Sequence, residues 1–355
     1  MTTLLEQVKA RGAPLIEARD AGEEVAVTFV WQGEGMPPML AGDFTHWGHS
    51  PLPLEEREPG VWARTVSLPR DAYIEYAFVQ PGAVEERLPD PYNPRVIWNG
   101  LDAVNHQLYM PDCKLTDLVR RRGGVARGAI TRHSIEAGSL LVSAHRDLLL
   151  YQPEVETPVP LVVVWDGMDY ASRAHLPAIV DNLIAAKRIR PIALAMIANG
   201  REGRTSEYFC NEATLVFLTE VLFPFLKTRL NLIDPKDEPG AYGVLGASMG
   251  GMMALWTGLR LPHIFGRVIS QSGAFFGDDR TDFLLDSYIT HTPTRPITIW
   301  QDVGRLEWLL EGNRKIHALL TAKGYPVTYR EFSGGHNYTM WADNVWRGLE
   351  AVYGM

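Results

Sequence analysis

Cysteine is nearly missing from the chain. Cys113 and Cys210 are the only two, far apart in sequence, so neither a disulfide framework nor a Cys-rich zinc site follows. The pair His46 and His49 has no second ligand cluster, and no metal is expected. Long basic runs are also missing. The formal net charge is −8, and the three arginines at 120–122 are too short a patch to argue for nucleic acid or an anionic membrane. No apolar run approaches the roughly 20 residues of a membrane span. The first residues, "MTTLLEQVKARGAPLIEARD", have no apolar h-region because Glu6, Lys9 and Arg11 interrupt it. They read as a short amphipathic helix rather than a signal peptide, and a cytoplasmic protein is expected. Internal repeats and low-complexity tracts are absent too.

What is present is an ordinary globular composition, with 46% hydrophobic and 21% charged residues. A length of 355 residues suggests two domains. From about Glu23 to Met110 the chain reads as short strands. "EVAVTFVW" and "GVWARTVSLP" alternate, "YIEYAFVQPG" follows, and turn signals separate them. That spacing predicts a small antiparallel sandwich. From about Gly124 the grammar changes. Apolar runs such as "PLVVVWDG", "PIALAMIANG" and "GAYGVLGA" alternate with helical stretches. This implies a mostly parallel sheet with helices on both faces. "PDCKLTDLVRRRGG" is the expected connection, giving domains 1–115 and 116–355.

"LAGDFTHWGHSPLPLEEREPGVWARTVSLP", "YIEYAFVQPG" and "LPDPYNPRV" resemble the early-set immunoglobulin-like domains that precede many glycogen-active enzymes and esterases. The resemblance covers roughly residues 20–110. Such modules either bind glucan or pack on the catalytic domain. Trp47, Trp62 and Trp98 would be sugar platforms in the first case. The general burial of tryptophan favours a core role.

"GASMG", Gly246 to Gly250, fits the nucleophile-elbow pattern G-x-S-x-G between an apolar strand and a helix. A serine raised on a strained turn needs glycine on either side. The helix start below it supplies unpaired N–H groups, and Met249 N–H is placed to hold an oxyanion. Ser248 then needs a base and an acid, in chain order serine, acid, histidine. His291, His317 and His336 lie well beyond the elbow. His317 falls inside a helical run and His291 in the loop "THTPT". His336 follows the final strand in "EFSGGHNYTMW", where Gly334 and Gly335 let the loop bend back, and it is the choice. Asp302, Glu307 and Glu311 are the candidate acids.

"LVVVWDGMDY", "NGREGRTSEY", "GASMGGMMAL", "SQSGAF", "DVGRLEWLLEGNR" and "GGHNYTMW" are together similar to the enterochelin-esterase-like branch of the esterase D family. The similarity runs from roughly Arg120 onward. It implies an α/β-hydrolase fold and a serine esterase of the enterochelin or feruloyl esterase type, working through an acyl-enzyme without a cofactor. The family's acid stands three residues after the glycine of the corresponding loop, which here is Glu307, with Asp302 as runner-up. The fold analogy offers Gly167 or Met168 N–H as the second oxyanion donor. Trp165, Tyr170, Trp308, Tyr338 and Trp341 flank the catalytic loops, where aromatics would suit an aryl acyl group. Trp165, Asp166, Arg204 and Trp308 are taken as substrate-binding. Asp166 and Asp169 could instead only cap or turn the chain. Arg204 and Glu207 form an R-x-x-E read either as a surface salt bridge or as a substrate contact. The expected partner is a small-molecule aryl or sugar ester, with homo-oligomerisation left open. The competing readings are a glucan-binding or scaffold protein with an inactive hydrolase domain, and an acyltransferase.

Overall fold

The alternation in "EVAVTFVW" becomes the strand Glu24–Gln32, which buries Val25, Val27 and Phe29. This computed structural model describes residues 2–17, 22–100, 103–277 and 282–355. The chain forms two units. The first comprises Met1–Leu115 with the loop segments Gly304–Trp308 and Phe332–Met340. The second comprises Thr116–Val303, Leu309–Glu331 and Trp341–Met355.

In the first unit, one sheet orders Leu15–Glu17, Glu24–Gln32, Val61–Pro69 and Glu55–Glu58. The other orders Leu52–Pro53, Met39–Gly42, Tyr73–Gln80, Val104–Tyr109 and Val96–Trp98, with Ala83–Leu88 also on Tyr73–Gln80. Their pairings are antiparallel. Phe29, Leu40, Ile74, Tyr76, Phe78 and Leu108 form the core, each contributing about 1.5–3 kcal/mol by leaving water. The helix Leu4–Arg11 opens on a capping box between Thr3 and Glu6. Residues 18–20 of the opening stretch lie outside the described residues. Of the three tryptophans, Trp62 packs on the core, and Trp47 lies under the Arg87 guanidinium, 4.4 Å from its ring centre. Trp98 departs from the core reading: it is 51% exposed.

The second unit holds an eight-stranded sheet. Its order is Ala129–Glu136, His145–Gln152, Ala193–Ile197, Leu161–Val164, Tyr242–Ala247, Phe265–Gln271, Thr298–Gly304 and Val327–Phe332. The two leading strands pair antiparallel. From Ala193–Ile197 through Thr298–Gly304 the pairing is parallel. Leu161–Val164, Ala193–Ile197 and Tyr242–Ala247 are buried along their whole length, as unbroken apolar runs require when both faces are covered. The sheet is flanked by helices, an α/β-hydrolase arrangement. The helical run Glu212–Lys227 widens to a π-helix over Phe217–Leu222. Pro224 follows two residues after Leu222 and cannot donate to the ordinary ladder.

Candidate active site

Strand Tyr242–Ala247 ends at Ser248, and helix Met249–Arg260 begins at the next residue. Ser248 has φ 58° and ψ −125°, a region that costs a non-glycine residue about 1–3 kcal/mol. Four hydrogen bonds hold the turn. Ser248 N–H donates to Gln271 O at 3.0 Å, and Ser248 O accepts from Gly251, Met252 and Ala274 at 2.9, 3.1 and 2.9 Å. A Cβ at Gly246 would fall 2.3 Å from Gly250 O, so only glycine fits there. A Cβ at Gly250 would meet Asp166 Oδ2 at 3.0 Å. From Ala241 to Gly250, Ser248 is the single residue that is not buried.

Gly167 and Met249 each open a helix, Gly167–Ser172 and Met249–Arg260. The first N–H groups of a helix have no intrahelical acceptor. The strands before them are neighbours, with Val164 opposite Leu245. Both helices therefore start at the carboxyl end of the parallel sheet, where α/β proteins bind ligands. Gly167 is required sterically, since a Cβ would lie 2.2 Å from Met196 C. Met168 is the second residue of its helix.

In the first unit, His336 Nδ1 and Glu307 Oε2 are 2.7 Å apart. The Glu307 side chain is fully buried and that of His336 is 14% exposed. Glu307 Oε1 accepts the Gly304 N–H at 2.8 Å. A carboxylate facing Nδ1 favours the tautomer that carries the proton there and leaves Nε2 able to accept one. The two loops are tied by Leu306 N–H to Gly334 O at 3.1 Å and Arg305 N–H to Phe332 O at 2.8 Å. Asp302 is committed elsewhere. Its Oδ2 accepts from Trp300 Nε1 at 2.7 Å and Gln271 Nε2 at 3.1 Å. Glu311 is exposed on the helix Leu310–Ala322 and pairs with Arg314. His317 stacks on Tyr329, and His291 ends an exposed helix turn.

The aromatic residues separate by burial. Trp308 is 38% exposed, with its ring centre 4.7 Å from that of His336. Trp165, taken from the sequence as substrate-binding, is buried against Tyr208 in the core. Tyr170 is buried and donates to Gln271 Oε1 at 2.9 Å; burial first, then Asp302 and Asp166, pushes its pKa well up. Trp341 is buried and donates to Ser272 Oγ at 2.9 Å. Tyr338 is buried as well.

Asp166, likewise taken as substrate-binding, is buried. It sits in the left-handed turn before Gly167, at φ 52°. Its buried carboxylate takes a bidentate pair from Arg204 at 2.7 and 2.7 Å, plus Asn199 Nδ2 at 2.9 Å. Arg204 and Glu207 do not serve each other, as the R-x-x-E spacing suggested. Glu207 is buried with Arg146, 2.7 Å away, and accepts Val142 N–H at 2.9 Å. Sequence reasoning missed Arg146, Asn199 and Tyr208. An arginine in the strand His145–Gln152 carries no local sign that its partner lies some sixty positions on.

Among the described residues no group of three or more His, Cys, Asp or Glu could hold a metal ion. A groove of about 530 Å³ lined by Phe223, Leu226, Leu232 and Tyr242 lies at the start of the elbow strand, the end opposite Ser248.

The Esterase family matches residues 143–351. The chain is 27% identical to the iron(III) enterobactin esterase of Dickeya dadantii, over 97% of this chain and 91% of that protein. Among solved structures, the enterobactin esterase of Shigella flexneri in the presence of enterobactin is similar at a TM-score of 0.79 and 20% identity, over 99% of this chain and 98% of that one. A ferulic acid esterase is similar at 0.53 and 17% identity, over 64% of this chain and 98% of that one. These favour an active hydrolase acting on a small-molecule ester over an inactive scaffold. The chain belongs to the Esterase family and is a carboxylic ester hydrolase.

Proposed function

We propose that Ser248 is the nucleophile, His336 its general base and Glu307 the acid that orients His336. His336 Nε2 takes the Ser248 proton as Oγ attacks the ester carbonyl. Met249 and Gly167 N–H groups receive the oxyanion. His336 then returns the proton to the leaving alcohol, and a water that it deprotonates hydrolyses the acyl-enzyme. The observation that carries the reading is the left-handed Ser248 at the strand–helix junction, a conformation retained at a cost. No residue role here needs a cofactor.

The substrate we propose is an aryl-bearing ester of the siderophore type, after the enterobactin esterases to which the chain is similar. Exposed Trp308 offers a stacking face beside His336.

The test is a panel of catecholate-siderophore, feruloyl, acetyl and p-nitrophenyl esters against the parent and Ser248→Ala. Loss of the acyl-enzyme burst and of turnover in the variant is expected, with highest parental kcat/KM on the aryl esters. Undiminished turnover in Ser248→Ala removes the nucleophile. Equal turnover of all the esters removes the substrate class.

A further inference from the structure

The loop that bears His336 is stitched to a buried carboxylate of the sandwich. Asp43 stands at the end of strand Met39–Gly42 and is 2% exposed. Its Oδ2 accepts the Glu75 N–H at 2.8 Å and Asn337 Nδ2 at 3.2 Å, and its Oδ1 accepts Trp47 Nε1 at 3.1 Å. Asn337 is the residue after His336. Its own Oδ1 accepts the Met340 N–H at 3.0 Å, capping the following helix Tyr338–Tyr353. Gly335, on the other side of His336, lies so close that a Cβ there would fall 2.1 Å from Asp43 Cγ. Tyr73, on the neighbouring central strand Tyr73–Gln80, adds two ties. Its N–H donates to Ser333 O at 3.4 Å, and its hydroxyl accepts from Thr339 Oγ1 at 3.3 Å.

We propose that Asp43 is a positioning residue for the catalytic base, and that the sandwich is thereby a working part of the esterase rather than a detachable substrate module. The contacts flank His336 on both sides. Asp43 blocks the space beside Gly335 and holds Asn337 from below, so the turn has one place to sit. That place is the one in which His336 Nδ1 meets Glu307. A buried carboxylate is a costly way to hold a turn unless its partners are satisfied. Here three N–H donors meet it. Burial, and then Glu75, pushes the Asp43 pKa well above the usual carboxylate value; the N–H bonds from Glu75 and Trp47 oppose this, and Glu307 adds a smaller upward push.

This inference rests on His336 being the base, and its test separates the two. Asn337→Ser keeps a helix-capping oxygen but is too short to reach Asp43. Asp43→Ala removes the anchor from the other side. Each is expected to lower kcat on a p-nitrophenyl ester by about 10²-fold, the scale of a misplaced catalytic group, with KM near the parent value. The double variant is expected to lose no more than the worse single, because the Asp43–Asn337 bond is lost in each. A folded Asn337→Ser enzyme with parental kcat overturns the proposal and leaves the esterase reading intact. So does a loss confined to KM, or simple additivity of the two losses. If Asp43→Ala fails to fold, Asn337→Ser decides alone. Activity retained in Ser248→Ala, or an inactive parent, overturns the catalytic reading itself and the inference with it.

Discussion

Glu307 uses both carboxylate oxygens: Oε2 stands 2.7 Å from His336 Nδ1, and Oε1 takes the Gly304 N–H at 2.8 Å. The second bond fixes the plane of the carboxylate, so the first can fix the imidazole. Asp302, by contrast, gives Oδ2 to the Trp300 and Gln271 side chains. Glu307→Gln is expected to lower kcat by about 10⁴-fold at similar KM, since it favours the wrong tautomer. Asp302→Asn is expected to keep kcat within several-fold, while disturbing a buried donor set worth about 1–3 kcal/mol. Steady-state kinetics with a thermal melt of each variant checks both. The reverse ranking would make Asp302 the acid.

The buried pair Arg146–Glu207 should behave unlike a surface pair. Its side chains are 3% and 4% exposed. Glu207→Gln leaves the guanidinium uncompensated and is expected to cost about 3–5 kcal/mol, lowering the thermal midpoint by about 10 °C. Glu212→Gln breaks the exposed Arg260–Glu212 pair and is expected to cost less than about 1 kcal/mol. Equal midpoints for the two variants would contradict the burial argument.

Trp308 is the open aromatic at His336, whereas Trp165 lies in the core. Trp308→Ala is expected to raise KM for aryl esters about 2- to 10-fold, the range of a lost aromatic contact. KM for acetyl esters should stay near the parent value. Trp165→Ala is expected to cost about 3–5 kcal/mol of stability, without selectivity between the two ester classes. A matched pair of KM values on feruloyl and acetyl esters decides it.

Local patterns carried what was local. The alternation of Glu24–Gln32, the unbroken apolar run of Leu161–Val164 and the strand–turn–helix frame of Ser248 follow from neighbours in sequence, and the structure has all three. Partnerships across the fold were not legible. Asp302 and Glu307 are both acids near a glycine, and only the direction of the chain after Gly304 separates them. Family resemblance, not spacing, preferred Glu307. Asp166 and Arg204 were each read as facing substrate, yet 38 positions apart they bind each other. Trp165 was read as a platform from its place beside Asp166 and Gly167, but in the turn after Leu161–Val164 its ring packs on Tyr208 in the core. Asp43 and Asn337 lie 294 positions apart, and nothing in "GDFTHW" points to a histidine near the other end of the chain.

The elbow glycine gives the most local test. A Cβ at Gly246 would sit 2.3 Å from Gly250 O and 2.4 Å from Gly250 C, both backbone atoms that cannot swing aside. Relief requires the strand end or the helix start to move, and Ser248 with Met249 N–H lies between them. Gly123 is the matched control, because a Cβ there meets nothing within 4 Å. Gly246→Ala is expected to fold with a stability loss of about 1–3 kcal/mol and a kcat loss of about 10²-fold or more. Labelling of Ser248 by a fluorophosphonate should slow in parallel, because the probe needs the same raised hydroxyl. Gly123→Ala is expected to match the parent in all three measurements. Parental labelling in Gly246→Ala would mean that the turn tolerates the methyl group, and the close approach of Gly246 to Gly250 would then not be what presents the serine.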